Sequence, residues 1–283
     1  MNLTAKAYLL GFGPYSLTRV AFEVMQRSAT VARLCWPDSD SRLACQEFEN
    51  KLQAFRLFEY VDAAFSASAP LPELIAQVTT LEPFHSVWAM EGLGHFATES
   101  VWRSNGEPLS LLTDERLLER SLVPLHAGMG LSLANHVLAR HAAYNRDERV
   151  PQTLQEFMTL CQRNTKVGYL GATYEALGLV ARNLYPQLVR LIDRQLAELD
   201  EKLLGYFWHG VGRALYFAPT SFVPCVNANQ RALERAEREP PHELGRRNAL
   251  AGLAWALTLI NIRQPQVMAG IPFDARRVAI WNG

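Results

Sequence analysis

The chain has 283 residues, of which 49% are hydrophobic and 20% charged, a composition that excludes a disordered chain and is long enough for a large core. Lys+Arg and Asp+Glu stand at 28 each, so the basic excess or basic stripe of a nucleic-acid binder is missing, and the zero net charge permits self-association into a homo-oligomer. The four cysteines, Cys35, Cys45, Cys161 and Cys225, form no C-x-x-C pair and no zinc spacing, which suits free thiols in a reducing compartment.

In chain order, the start carries a short apolar run cut by Gly11, Gly13 and Pro14, too broken for a membrane span and without a convincing signal-cleavage site. The expected location is therefore cytoplasmic. Helical periodicity follows almost everywhere. Helices are expected near 15–34, 42–67, 86–103, 112–120, 125–142, 152–164, 169–184, 186–204, 206–217, 226–239 and 243–261. In 42–67, Leu43, Phe48, Leu52, Phe55, Phe58 and Val61 recur at three- and four-residue steps against a polar back. In 186–204, Pro186 suits a first turn and Leu188, Leu191, Leu196, Leu199 and Leu203 form a stripe. Breaks are expected at the prolines Pro70 and Pro72, at 104–106, at 145–151 and at Pro240-Pro241. Strand patterns bounded by hairpin turns are almost absent. The predicted fold is all-α and single-domain over 1–283, with one weak boundary at the charged stretch 143–151. The stretch 229–247, rich in both signs, reads as a solvated helix with i,i+4 pairs followed by a turn.

One phrase recurs. Met90-Glu-Gly-Leu-Gly-His95, His126-Ala-Gly-Met-Gly-Leu131 and Trp208-His-Gly-Val-Gly-Arg213 each set Gly-apolar-Gly inside a helical apolar pattern. With the weaker Gly168-Tyr-Leu-Gly171 and Ala251-Gly-Leu-Ala254, the phrases recur at intervals near 40 residues, in the range of two-helix repeats. Two architectures are consistent with this: a helical-repeat-like fold, or a pseudo-symmetric layered bundle. Glycine costs roughly 1 kcal/mol relative to Ala in a helix. Two glycines two apart lie on nearly opposite sides of it, so they suit a buried helix approached closely from two directions. No strand precedes these phrases and no Gly-Lys-Ser/Thr occurs, so they are not phosphate loops, and no cofactor is called for.

The polar residues beside the glycines are the candidate site. Glu91, His95 and Glu99 share a helix face, and His209 and Arg213 repeat the four-residue spacing. Packed glycine helices would bring Glu91, His95, His126, His209 and Arg213 together. Three readings remain open. The residues form a buried network that fixes helix register. They line a ligand pocket with Trp88, Glu91, His126, Trp208, His209 and Arg213 as its contacts. Or Glu91, His95, His126 and His209 are catalytic acid–base groups. Glu-x-x-x-His occurs once without the matching second motif that a di-iron bundle uses, so no metal is expected. His136 and His141 read as surface or helix-end residues.

The phrases at 91–95, 126–134 and 209–217 resemble those of an uncharacterised bacterial family found in enediyne polyketide gene clusters. The resemblance covers about residues 86–260. It implies a bacterial accessory protein linked to a lipid-like or polyketide product, and it carries no reaction with it. The expected function is thus an accessory helical protein that binds a partner protein or an apolar small molecule. The alternative is an enzyme acting on a polyketide- or lipid-like substrate.

Overall fold

The computed structural model describes residues 27, 39–64, 69–144, 147–218 and 227–269. Most of the helix expected at 15–34, together with Gly11, Gly13, Cys35 and Cys225, lies outside them. Among the described residues the fold is all-α, with no strand. In chain order the helices are α1 (Ser39–Ala64), α2 (Leu71–Val78), α3 (Pro83–Arg103), α4 (Glu119–Tyr144), α5 (Val150–Asn164), α6 (Leu170–Leu184), α7 (Val189–Leu199), α8 (Glu201–Tyr216), α9 (Ala228–Arg238), α10 (Glu243–Asn261) and α11 (Pro265–Ala269).

Sequence explains most of these elements. Cys45, Phe48 and Leu52 make the buried stripe of α1, and Val150, Leu154, Phe157, Leu160 and Cys161 that of α5. The proline stretch at 69–72 begins a helix as well as marking a break. Pro70 stands before α2 and Pro72 lies in its first turn, where a missing N–H costs nothing. Two expectations are corrected. The segment 112–120 is not a helix of its own: Asp114 Oδ1 accepts from the Arg116 amide at 2.9 Å, a local bond that competes with helix formation, and α4 starts only at Glu119. The run 186–204 is not one helix either. Asp200 is extended, and its carboxylate accepts from the Lys202 amide at 2.7 Å, which caps α8 and separates it from α7.

The chain forms two compact units. Unit one comprises Met1–Ala54 and Val211–Gly283, and unit two Phe55–Gly210. The stretch 143–151 falls inside unit two, where α4 and α5 on either side of it pack together.

In unit two, α3 and α4 are buried almost all round at their centres, from Ala89 to Phe96 and from Leu125 to Ala134. Over Glu119–Ala142, α4 is long and apolar enough to cross a membrane, with 72% of that window buried inside the protein. That burial accounts for its apolar character. The glycines set the crossings. A Cβ on Gly94 would overlap the Leu125 carbonyl of α4, and one on Gly128 would overlap the Glu91 carbonyl of α3, so the two helices touch backbone to backbone. Gly130 meets Thr173 of α6 and Gly210 meets Glu175 of α6 in the same manner. In unit one, Gly212 lies against the Ala249 carbonyl of α10.

Candidate functional site

Most of the residues singled out by the glycine phrases are interior groups of unit two. Glu91 and His95 are buried at the α3–α4 crossing, with the His95 ring 5.4 Å from that of Phe58. Trp88 is buried edge-on to Phe84, 6.2 Å between ring centroids. Trp208 donates its indole N–H to Asp193 at 2.7 Å and ties α8 to α7. His126 is fully buried. Its Nδ1 donates to the Leu122 carbonyl at 2.6 Å, and its Nε2 accepts from the Lys166 amide at 3.0 Å. Both ring edges are committed, so this imidazole holds a turn in place.

His209 is different. Its side chain is 24% exposed, and its Nδ1 lies 3.0 Å from Glu175 Oε1. A carboxylate on Nδ1 orients the ring, so that Nε2 is the nitrogen suited to exchanging a proton. Arg213 belongs to unit one, where its guanidinium stacks over the Trp255 ring at 4.3 Å. Within unit two, His126 bonds Leu122 and Lys166, and His209 meets Glu175. Among the described residues, no group of three or more His, Cys, Asp or Glu side chains is placed to hold a metal ion.

An open groove of about 490 Å³ lies elsewhere in unit two. Trp102 at the end of α3 and His136 of α4 form its aromatic bed, their rings stacked 3.9 Å apart and within 2° of parallel. Two ion pairs flank the bed. Arg140 reaches Glu156 at 2.6 Å across α4 and α5, and Arg163 reaches Glu107 at 3.5 Å. Gln155, Thr159 and Leu160 complete the lining. The Arg140 and Arg163 side chains are 57% and 54% exposed. Such pairs are worth about 0–1 kcal/mol, so either guanidinium can leave its carboxylate for a better acceptor. Burial lowers the His136 pKa, and the nearby Arg140 charge lowers it further against Glu156 and Glu99, which favours the neutral imidazole. The Trp102 indole N–H is buried and has no hydrogen-bond partner among the described residues.

The sequence had marked His136 as a surface or helix-end residue. Its partner Trp102 is 34 residues away on another helix, and the only signal was an aromatic and a histidine near the ends of adjacent amphipathic segments. His141, read as a surface or helix-end residue, lies in the last turn of α4 and is buried, with Nδ1 3.1 Å from the Thr153 hydroxyl. A C-terminal position does not imply exposure when a following helix folds back over it.

Unit one holds a second cluster that no motif announced. Lys51 is 2% exposed, with Nζ 3.3 Å from Glu47 Oε1 and 3.9 Å from the centroid of Tyr216. Asn229 donates to Glu47 Oε2 at 2.8 Å, Asn261 to the Tyr216 hydroxyl at 2.9 Å, and Asn50 to Asn261 at 2.9 Å. Burial pushes the Lys51 pKa down, while Glu47 pulls it back up. Burial also pushes the Tyr216 hydroxyl far up, with the Glu47 carboxylate adding to the effect. Closed off and multiply bonded, the cluster acts as a polar lock on α1, α8, α9 and α10.

Comparison with family models, with curated proteins and with solved structures finds no match.

Proposed function

We propose that this chain is a helical binding protein, and that the groove of unit two takes a small molecule bearing a carboxylate or phosphate group. The observation that carries the reading is the groove itself, with two half-exposed guanidiniums on either side of a flat Trp102–His136 bed. The two guanidiniums only donate, while His136, Gln155 and Thr159 can donate or accept, so a ligand that draws the guanidiniums from Glu156 and Glu107 with a carboxylate or phosphate of its own is favoured. The aromatic bed suits an unsaturated or apolar body behind the anionic head. An acyl or polyketide-derived acid, the class implied by the resemblance of the glycine phrases, meets both requirements.

The test is native mass spectrometry of protein purified from its own host. The expected result is a retained acid that leaves on denaturation and is absent when Arg140 and Arg163 are both changed to Gln. A ligand-free mass, together with no thermal shift across a panel of fatty, aromatic and phosphorylated acids, refutes the reading.

One observation favours a second reading, an acid–base enzyme: the His209–Glu175 pair with its partly exposed ring. Turnover of a bound acid or its thioester that is lost in His209→Ala, with folding intact, would support catalysis over simple binding.

A further inference from the structure

His126 bonds one loop of unit two directly, through the Lys166 amide, and that loop meets a second through the Lys166–Glu115 pair. The Leu122 carbonyl can only accept, so Nδ1 carries the proton, and the Lys166 amide can only donate, so Nε2 must be bare. The ring is also stacked on Tyr169, 5.2 Å between centroids. In the turn it holds, 165–169, the Tyr169 amide donates to the Lys166 carbonyl at 3.1 Å. Thr165 meets the Thr173 hydroxyl at 3.1 Å, Gly168 takes φ +93, and Val167 is 96% exposed.

The second loop, 104–118, is bound to the same end of α5. Asn164 donates to the Pro108 carbonyl at 2.9 Å and accepts from the Leu111 amide at 3.2 Å, while Ser110 donates to the Arg163 carbonyl. Lys166 closes the connection, its Nζ 3.0 Å from Glu115. Glu107 of this loop and Arg163 form one wall of the groove.

We infer that His126 is an acid-sensitive latch: its protonation turns Nε2 from acceptor to donor against the Lys166 amide, frees the 165–169 turn, and loosens the 104–118 loop that carries Glu107. The charged group that bears on the ring from the facing loop is the Lys166 ammonium, itself paired with Glu115. Tyr169 covers one face. On the α3 side, Glu91 and His95 approach α4 through the backbone at Gly128, two residues along from His126. Burial pushes the histidine pKa below the ordinary 6.5, the hydrogen bond to the Leu122 carbonyl opposes that shift, and the Lys166 charge adds to it. The sign follows from linkage. A depressed pKa in the folded state gives stability that is complete above the unfolded value and is lost as pH falls through the folded one. The consequence for binding rests on the groove reading above, but the latch itself does not.

Hydrogen exchange of the unliganded full chain, corrected for intrinsic rates, tests it between about pH 7.5 and about pH 5, the window in which histidine titrates. Protection of the amides in 104–118 and 165–169 should fall about tenfold or more at the acid end, while the α3–α4 crossing keeps its protection. His126→Gln, which keeps a donor and an acceptor but does not titrate there, should abolish the pH dependence. Lys166→Gln, which leaves His126 in place, should move the midpoint to higher pH. Undiminished protection in the wild type at acid pH overturns the latch. So does a midpoint that ignores Lys166→Gln, or the same acid response in a folded His126→Gln protein. A working latch in a protein that binds no acid would sink the groove reading alone.

Discussion

Replacing Gly128 by Ala puts the largest demand on the packing described above. A Cβ at this position overlaps the Glu91 carbonyl oxygen and stands 2.9 Å from the His95 amide nitrogen. Both are backbone atoms of α3, and neither can rotate away. Alanine would gain about 1 kcal/mol from helix propensity. Overpacking of a core typically costs about 1–3 kcal/mol, and here two buried helices must separate along their whole contact, which puts the cost at or above that range. The expected net loss is about 2 kcal/mol or more. Gly171→Ala is the control. There a Cβ meets only the half-exposed Tyr206 ring, which can swing aside, so the change should cost less than about 1 kcal/mol. Urea unfolding followed by far-UV circular dichroism compares the two variants. A Gly128→Ala protein as stable as wild type would refute the backbone contact.

Two further outcomes are expected. Lys51→Met leaves Glu47 charged in a buried cluster and should destabilise the protein by about 3–5 kcal/mol, whereas pairing it with Glu47→Leu should recover part of that loss; urea unfolding of both variants decides. Asp114 should titrate at about 2, held down by its hydrogen bonds to Arg116, and Arg116→Ala should return it toward 3.8; carboxyl NMR reads both values.

The fold was legible in the sequence wherever burial and periodicity agree. The helix expected over 152–164 buries Leu154, Phe157 and Leu160, and Gly92, Gly94, Gly128 and Gly130 mark helix centres that are buried all round. The helices expected over 112–120 and 186–204 do not form as such, because one side-chain oxygen of Asp114 or Asp200 on a nearby amide outweighs a run of apolar spacing. The site was less legible. The polar residues beside the glycines are prominent in sequence because they interrupt apolar helices, yet His126 and Trp208 spend that polarity on internal bonds. The groove draws on Trp102, His136, Arg140, Glu156 and Arg163, ordinary surface residues in sequence that line one groove only when α3, α4 and α5 are packed. The Glu47–Lys51 pair has the i,i+4 spacing of a solvated surface pair, and nothing local shows that Tyr216 and Asn261 enclose it.

The groove is tested most directly by the Trp102 indole N–H, buried beside the His136 stack and unpartnered among the described residues. In a ¹⁵N–¹H spectrum of the full chain, Trp102→Phe assigns its signal among those of the six tryptophans. Titration with a panel of fatty, aromatic and phosphorylated acids should move that signal in a saturable manner, and Arg140→Gln/Arg163→Gln should abolish the shift. An indole that stays still across the whole panel, or moves unchanged in the double variant, would contradict the assignment of this groove as the binding site.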